Sequence, residues 1–337
     1  RIWTDQQGRT VEGEMVGANE QLVTLRLING RQMQVALGSL SVADQRFVKQ
    51  MMAQGEGARE SQEQGRQSPG KDQVRLPIPD RKPSPDAPRN GWSGEASLQM
   101  VLMYCGAYVP QRQISTAAGK RRGNGLLYTQ MYPTMRQFGL STVEYKRGQT
   151  TAAEFHQWAR EQIDEGRAIV TGVKVYPDKA AGDKVDQIVV ISGHDKDGLF
   201  LNTNVANQGV AYRTMKQLSA TKEGISLANF SGTIWAHSIK GLDSSGRAGG
   251  RPVTVAAGDE TGRNLSATIT CRDLRRGQRY VLFRRQSPRE HSAIALSRFQ
   301  ANGDQYTYSD SIGSGDTWHY ECVETNDGSV KGLRLSK

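Results

Sequence analysis

The chain has 337 residues, with 44 Lys or Arg against 34 Asp or Glu, so its formal net charge is +10. Its 37 glycines and 36% hydrophobic residues are ordinary for a globular protein, which excludes collagen and disorder of the whole chain. No run approaches the roughly 18 apolar residues that a membrane-spanning helix needs.

The first 53 residues are predicted to form a compact β module. Apolar residues recur at every second position in residues 21–28 and again in residues 33–37, which is the alternation of a half-buried strand. Asn29-Gly30 lies between the two runs, where a two-residue type I′ turn needs positive φ angles. The pattern therefore predicts a β-hairpin.

Residues 54–88 are predicted to be a linker. Residues 54–75 contain no aromatic residue, Leu or Ile, so burial there cannot offset the entropy lost on ordering. Six of the 11 prolines then fall between Pro69 and Pro88. This favours an extended approach to the next domain.

Residues 89–243 alternate helix and strand patterns, as in an α+β domain. One helix is predicted from Ser93 to about Tyr104, and another begins at Thr151, where Glu154 completes a capping box. The expected strands are residues 168–175, 188–192, 199–202 and 232–239.

The remainder of the chain is predicted to be a β-sandwich of about seven strands, in residues 252–337, after a second linker at residues 244–250. Its clearest strand runs are residues 252–257, 266–271, 278–283, 305–308 and 318–323. Cys271 and Cys322 lie in two of these runs, as facing sheets would place them. We expect a disulfide between them if the protein is secreted.

Ser93 stands at the start of its predicted helix. Unpaired backbone N–H groups and the positive end of the helix dipole meet at such a position. Both stabilise an anionic nucleophile, which is why cysteine hydrolases place a thiolate there. The simpler interpretation is that Ser93 is an N-cap, because serine is preferred at that position.

Two motifs carry a resemblance to a known family. Residues 91–110, GWSGEASLQMVLMYCGAYVP, resemble the nucleophile helix of the papain-like bacteriocin-processing (double-glycine leader) peptidases. Residues 186–195, DQIVVISGHD, followed by Leu201-Asn202, resemble the strand on which that family carries its catalytic His, with an orienting Asn or Asp on the next strand. The resemblance spans residues 91–239 and implies a papain-like domain.

The sequence departs from that family at both chemical positions. Ser93 stands where the resemblance implies the catalytic Cys, and Gln187 stands where it implies the His. Asn202 matches the orienting residue, with Asn204 as an alternative. A serine at its free pKa needs a general base, and a neutral amide cannot accept its proton. One replacement would fit an engineered knock-out, whereas two independent replacements favour a natural pseudoenzyme.

Other candidate groups are weaker. His194 follows Gln187 by seven residues, beyond the predicted strand, so we expect it to point elsewhere. Cys105 lies about 18 Å from Ser93 along the same helix, too far to share its site, and is expected to be a small core residue. No metal or cofactor is expected, because the remaining histidines have no metal-ligand spacing: His156, His237, His291 and His319.

The N-terminal module carries a second resemblance, to the Sla-type homology domain 1. The matching residues are Trp3-Thr4-Asp5, the Asn29-Gly30 hairpin, and Leu40-Ser41 with Asp44-Gln45. That domain is a small SH3-like barrel whose eukaryotic form binds short sorting peptides, and here the resemblance implies the fold. We expect Trp3 in its core rather than on a ligand platform. Ser41 and Asp44 also predict a helix start.

Arginines are crowded between residues 272 and 289, where Asp273 is the only acid. Such a run is usually a solvated face, and the alternative is a patch that binds a polyanion. The seven are Arg272, Arg275, Arg276, Arg279, Arg284, Arg285 and Arg289.

These observations predict a multidomain α+β protein of bacterial type: an SH3-like β-barrel at 1–53, a papain-like domain at 89–243 and a β-sandwich at 252–337. The leading hypothesis is a non-catalytic protein that binds a peptide or protein through a degenerate papain-like cleft. One alternative is a cysteine peptidase whose nucleophile is replaced by Ser93, and another is a structural subunit of an extracellular homo-assembly. The chain begins with Arg1 rather than Met, so we expect a processed or trimmed product. A secreted or cell-surface location is a further expectation that the sequence itself does not show.

Overall fold

A computed structural model describes most of the chain, which divides into two compact units, Arg1–Gln67 and Ser68–Lys337. No helix within the described residues is long and apolar enough to span a bilayer. The described residues are 2–18, 22–27, 32–41, 44–45, 48, 73–84, 87, 91–119, 125–145, 151–176, 185–203, 209–219, 224–227, 234–243, 250–258, 264–287 and 290–336.

The N-terminal unit contains a four-stranded antiparallel sheet, in which Leu25 of the third strand pairs with Met33 of the fourth. That pairing confirms the predicted hairpin, whose turn at Asn29-Gly30 lies outside the described residues. Trp3 is a core residue, as expected. The strands pair in chain order: β1 (Ile2–Thr4), β2 (Thr10–Ala18), β3 (Leu22–Leu27) and β4 (Gln32–Ala36).

The expected closed barrel is not formed by the described strands. β1 and β4 are the two ends of the strand order, and no ladder joins them in the part of the unit that the structure describes. A single bridge between Asp5 and Leu40 connects the segments that follow them. The described strands therefore form an open sheet.

Asp44 ties the end of this unit back to its first strand. Its carboxylate accepts a hydrogen bond from the Thr4 N–H at 2.8 Å and another from Ser41 Oγ at 2.9 Å. The Asp44 N–H in turn donates to Ser41 Oγ at 3.2 Å, which is the bond that the capping pattern predicts. Most of the helix expected beyond it lies outside the described residues.

The second unit begins with alternating helices and strands. The predicted helices are found, and Thr151 and Glu154 form both bonds of the capping box. The helices are α1 (Ser93–Tyr104), α2 (Gln111–Ala117), α3 (Tyr128–Gln137), α4 (Ala152–Asp164) and α5 (Met215–Ser219). The strands are β5 (Val74–Arg75), β6 (Ala107–Tyr108), β7 (Leu140–Glu144), β8 (Ile169–Tyr176), β9 (Val185–His194), β10 (Gly198–Asn202), β11 (Val210–Thr214), β12 (Gly224–Ser226) and β13 (Ala236–Leu242).

Eight of these strands form an antiparallel sheet with helices on both faces. Its order is β11-β10-β9-β8-β13-β7, with β12 paired to β8 and β5 to β9. On one face Ile188 and Val190 of β9 pack in the core that contains α1. On the other face Val189 and Ile191 pack with Phe155 of α4. β9 runs past the predicted residues 188–192 because its last residue pairs with both β5 and β10.

Part of the predicted linker packs on this unit. Residues 51–72 lie outside the described residues, but β5 adds to the sheet and Ile78 enters the α1 core. Arg81 is buried and donates to Gln99 Oε1 at 3.0 Å and to the Ala257 and Gly258 carbonyls at 3.0 and 2.9 Å. These contacts are non-local, so composition does not show them.

The C-terminal strands form two facing sheets. One has the order β14-β20-β17-β18-β21 and the other β15-β16-β19. The predicted runs are found, while β14, β18 and β21 are additional. Residues 244–249 of the second linker lie outside the described residues. The strands are β14 (Gly250–Arg251), β15 (Val253–Ala257), β16 (Asn264–Cys271), β17 (Arg279–Arg285), β18 (Ser292–Gln300), β19 (Tyr306–Gly313), β20 (Trp318–Glu324) and β21 (Arg334–Ser336).

The sandwich and the preceding helical part share a sheet and a core. β6 pairs with β20, with Tyr108 opposite Trp318. Met103 of α1 and Tyr108 are fully buried in the same cluster as Val255 and Leu282 from the two sheets. Residues 68–337 consequently form one compact unit.

The expected disulfide is absent, because all three cysteines are free thiols. Cys271 and Cys322 both lie in the sandwich core and interact as thiols. The Cys271 thiol donates a hydrogen bond to Cys322, and this bond, together with burial, raises the pKa of Cys271. The prediction was correct that the two cysteines lie on facing sheets and point into one core. It was wrong that a disulfide joins them.

Candidate functional site

The first turn of α1 lies against the backbone of β9. The Ile188 N–H donates to Ser93 Oγ at 3.3 Å, and Ser97 Oγ donates to the Ile188 carbonyl at 2.8 Å. Trp92, rather than Ser93, is the N-cap, and its side chain makes no capping bond. Ser93 is therefore the first helical residue, beside backbone N–H groups that its own helix leaves unbonded.

Gln187 and Asn202 lie in the same corner of the sheet. Gln187 directly precedes Ile188, the residue bonded to Ser93, and Asn202 pairs with Val190 on the neighbouring strand. Gln187 Oε1 and both amide atoms of Asn202 are buried without hydrogen-bond partners within the described residues. The three positions thus lie on elements that contact one another, and no hydrogen bond joins the Gln187 and Asn202 side chains within the described residues.

The alternative orienting residue, Asn204, lies outside the described residues. Thr203, which precedes it, is buried, and its N–H donates to the Gly209 carbonyl at 2.9 Å. Asn202 is 1% exposed, so its amide is enclosed by the protein rather than by solvent. A buried amide without partners costs about 1–3 kcal/mol, which marks this corner as unusual.

His194 is not close to Ser93. Its Nε2 lies 2.8 Å from Asp164 Oδ1 at the end of α4. The seven residues that separate it from Gln187 span about 23 Å of extended strand. His194 therefore points elsewhere, as expected, and offers no base to the Ser93 hydroxyl.

His156 and His319 make contacts that do not involve Ser93 within the described residues. His156 Nε2 lies 3.3 Å from the Gly198 carbonyl, and partial burial lowers its pKa. His319 is buried in the sandwich, where desolvation and the nearby Arg285 guanidinium lower its pKa to about 4. Within the described residues, no group of three or more His, Cys, Asp or Glu side chains is placed to hold a metal ion.

An exposed aromatic surface, formed by Leu127, Tyr128, Tyr132 and Trp235, adjoins the start of α1. Leu127, Tyr128 and Tyr132 are 57%, 40% and 42% exposed, whereas large apolar side chains are mostly buried elsewhere in the described residues. The Tyr128 and Trp235 rings meet edge to face, with centroids 6.3 Å apart. Beside them Tyr132 stacks on the buried His237 ring at 5.4 Å.

Two sets of contacts connect this aromatic surface to Ser93. The Leu126 N–H donates to Glu95 Oε2 in the first turn of α1, and Leu126 lies so close that a Cβ at Gly94 would be 2.7 Å from it. The Trp235 carbonyl accepts a bond from Thr171 Oγ1 on β8, the strand that pairs with β9. Tyr128 and Tyr132 are four residues apart on α3, and this spacing predicts that they share a helix face. The sequence motifs did not indicate these residues.

The crowded arginines do not form one patch. Arg284 pairs with Asp310 at 2.6 Å and lies 4.2 Å over the Trp318 ring. Arg285 is buried and paired with Glu321. Arg272 lies over the Tyr104 ring, while Arg289 is outside the described residues. The exposed members are Arg275, Arg276 and Arg279.

Comparison with known proteins identifies the N-terminal unit most clearly. The family model for SLA1 homology domain 1 (SHD1) matches residues 1–56. No curated protein matches the sequence significantly. Among solved structures, a Bacillus anthracis protein described as a C39-like peptidase aligns with 14% identity and a TM-score of 0.35, over 50% of this chain and 98% of its own.

Proposed function

We propose that the second unit binds a peptide segment in a degenerate papain-like cleft at the start of α1 and does not cleave it. The observation that carries the proposal is the environment of Ser93. Its hydroxyl accepts the Ile188 N–H, and the neighbouring side chain, Gln187, is a neutral amide. A neutral amide at 187 cannot remove the serine proton as an imidazole would, which leaves the hydroxyl a weak nucleophile.

The aromatic surface supplies the binding part of the proposal. Aromatic residues are enriched at protein interfaces because they bury a large rigid area at low entropic cost. Tyr128 is 40% exposed and held by the Trp235 ring, so it is both accessible and ordered. A peptide with apolar side chains would cover Leu127 and Tyr128 while its backbone follows the cleft beside Ser93.

The N-terminal unit supports a protein-binding role in a second way. It matches a domain family with an SH3-like fold, and folds of that type generally bind peptides. We include it in the proposal as a separate interaction module. The test below therefore uses the second unit alone as well as the full chain.

The experiment is capture of peptides from a random 12-residue library on the immobilised full chain and, separately, on residues 68–337. Captured peptides are then labelled, and their affinities are measured by fluorescence anisotropy. We expect saturable binding that Tyr128→Ala weakens at least tenfold, because interface aromatics commonly contribute more than about 1.4 kcal/mol. The matched control, Tyr128→Phe, keeps the ring and should bind within twofold of the unmodified protein. Failure to capture peptides, or equal affinity for Tyr128→Ala, would overturn the proposal.

A further inference from the structure

A cavity of about 530 Å³ lies at the C-terminal end of α1, and the proposed peptide cleft does not use it. Tyr104 and Cys105 border it, some 16 Å along the helix from Ser93. The other walls come from the ends of α4 and β13, from β14 and β15, and from β20. Cavities of roughly 300–1,000 Å³ are the size that binds small molecules.

One side of this cavity is apolar and firmly held. Leu76, Tyr104, Leu242 and Val253 contribute carbon surface. The Tyr104 hydroxyl donates to the Gly166 carbonyl at 2.9 Å, which fixes the ring across the cavity wall. This side of the cavity is therefore preformed to bind an apolar group.

Six charged residues also line the cavity, and three of them already have partners. Arg251 pairs with Glu324 at 2.5 Å, and Glu165 and Glu321 pair with arginines outside the cavity. Arg272, Lys240 and Asp273 make no ion pair within the described part of the chain. Because three cations face three carboxylates overall, the lining disfavours a polyanion.

Arg272 is the arginine of the lining that makes no ion pair within the described residues, and it lies against the apolar wall. Its guanidinium lies 5.6 Å from the centre of the Tyr104 ring. A carboxylate satisfies a guanidinium best, since its two oxygens match the planar donor fork.

We propose that this cavity binds a small organic monocarboxylate with an apolar body. The carboxylate would accept hydrogen bonds from Arg272, and the apolar body would lie on Tyr104 and Leu242. Asp273 and Glu165 at the rim would repel ligands of higher negative charge. The site is independent of the peptide cleft, so either proposal can fail without the other.

The first test uses isothermal titration calorimetry of the full chain with 3-phenylpropionate and its neutral isostere, 3-phenylpropionamide. We expect saturable one-to-one binding of the acid and at least tenfold weaker binding of the amide. Inorganic phosphate at equal concentration should not displace the acid. Equal binding of acid and amide, displacement by phosphate, or no saturable binding of the acid would overturn the proposal.

The second test locates the site. Arg272→Met should weaken binding of 3-phenylpropionate at least tenfold, while Arg276→Met, an exposed arginine outside the lining, should stay within twofold of the unmodified protein. Equal losses in both variants would contradict the assignment. The acid and amide comparison needs no substitution, so it decides the ligand class even if Arg272→Met fails to fold.

Discussion

Ser93 occupies a position that would activate a thiol and that does little for a hydroxyl. A helix N-terminus and the Ile188 N–H both stabilise negative charge on the side chain at this position. A cysteine would be partly ionised there, but serine loses its proton only to a base. At Gln187 the chain offers an amide instead, so two residues together account for the expected lack of catalysis.

Restoring both residues tests whether these positions face each other. Ser93→Cys alone should give a mildly activated thiol. If the side chain at 187 faces Ser93, as the family resemblance implies, Ser93→Cys with Gln187→His should lower the thiol pKa by whole units. Near pH 6, iodoacetamide should then alkylate the double variant at least ten times faster than the sum of the rates of the two single variants.

The native cysteines provide a low background for that measurement. Burial raises the pKa of Cys105 to about 12, and the pKa of Cys271 is raised as well. Gln187→His in the Ser93 background is the control for histidine alone. Merely additive rates would show that 187 and 93 do not face each other, and the cleft assignment would then be wrong.

His319 makes the stability of the protein depend on pH. Its pKa is lowered to about 4 in the fold, below its ordinary value of about 6.5, so the unfolded chain binds the proton first as pH falls. The free energy of unfolding should therefore decrease between pH 6.5 and 4, by up to about 3 kcal/mol. In urea titrations, the free energy of unfolding of His319→Gln should change less between pH 6.5 and 4 than that of the unmodified protein. The same change in both proteins would show that His319 is not the cause.

At the scale of elements, the proposed cleft requires that the segment preceding α3 packs on the first turn of α1. Leu126 donates its N–H to Glu95, and the Leu126 side chain occupies the space beside Gly94. Only a residue without a Cβ leaves room for this contact. The close approach places the segment that leads to the exposed residues Leu127 and Tyr128 against the first turn of α1.

Gly94→Ala tests this packing. The added methyl would lie 2.7 Å from Leu126 Cβ and 3.1 Å from the Leu126 carbonyl oxygen, so the segment must move. We expect the free energy of unfolding to fall by about 1–3 kcal/mol, the usual cost of overpacking. Gly303→Ala, which meets no atom within 4 Å, is the control. Equal denaturation midpoints for the two variants would contradict the contact.

Local patterns predicted the elements well and their partners poorly. α1 and α4 follow from apolar periodicity and the Thr151–Glu154 capping box, and the β3–β4 hairpin follows from alternation around Asn29-Gly30. The pairing of β6 with β20 and the burial of Arg81 join residues far apart in sequence, where no local signal exists. The corner at Ser93, Gln187 and Asn202 comes from a family resemblance and stays a prediction, while the aromatic surface was missed.

At the scale of the whole molecule, residues 68–337 behave as one packed body rather than as two modules joined by a linker. Tyr108 and Met103, from the helical part, complete the sandwich core and are fully buried. Arg81 adds buried hydrogen bonds to both α1 and the end of β15. The two parts should therefore stabilise each other.

Fragments provide the test of this dependence. Residues 250–337 alone would expose the apolar surface that Tyr108 and Met103 cover, so we expect weak, non-cooperative melting and strong binding of a hydrophobic dye. Residues 68–337 should melt in one cooperative transition. A stable, cooperatively folded 250–337 fragment would show that the shared core contributes little.

The most direct test of the central claim is mass spectrometry of captured library peptides after prolonged incubation with the unmodified protein and with Ser93→Ala. The account predicts that the same peptides bind both proteins with equal affinity and are recovered intact, because the amide of Gln187 cannot act as the base that Ser93 would need. New peptide termini that form with the unmodified protein and not with Ser93→Ala would contradict it.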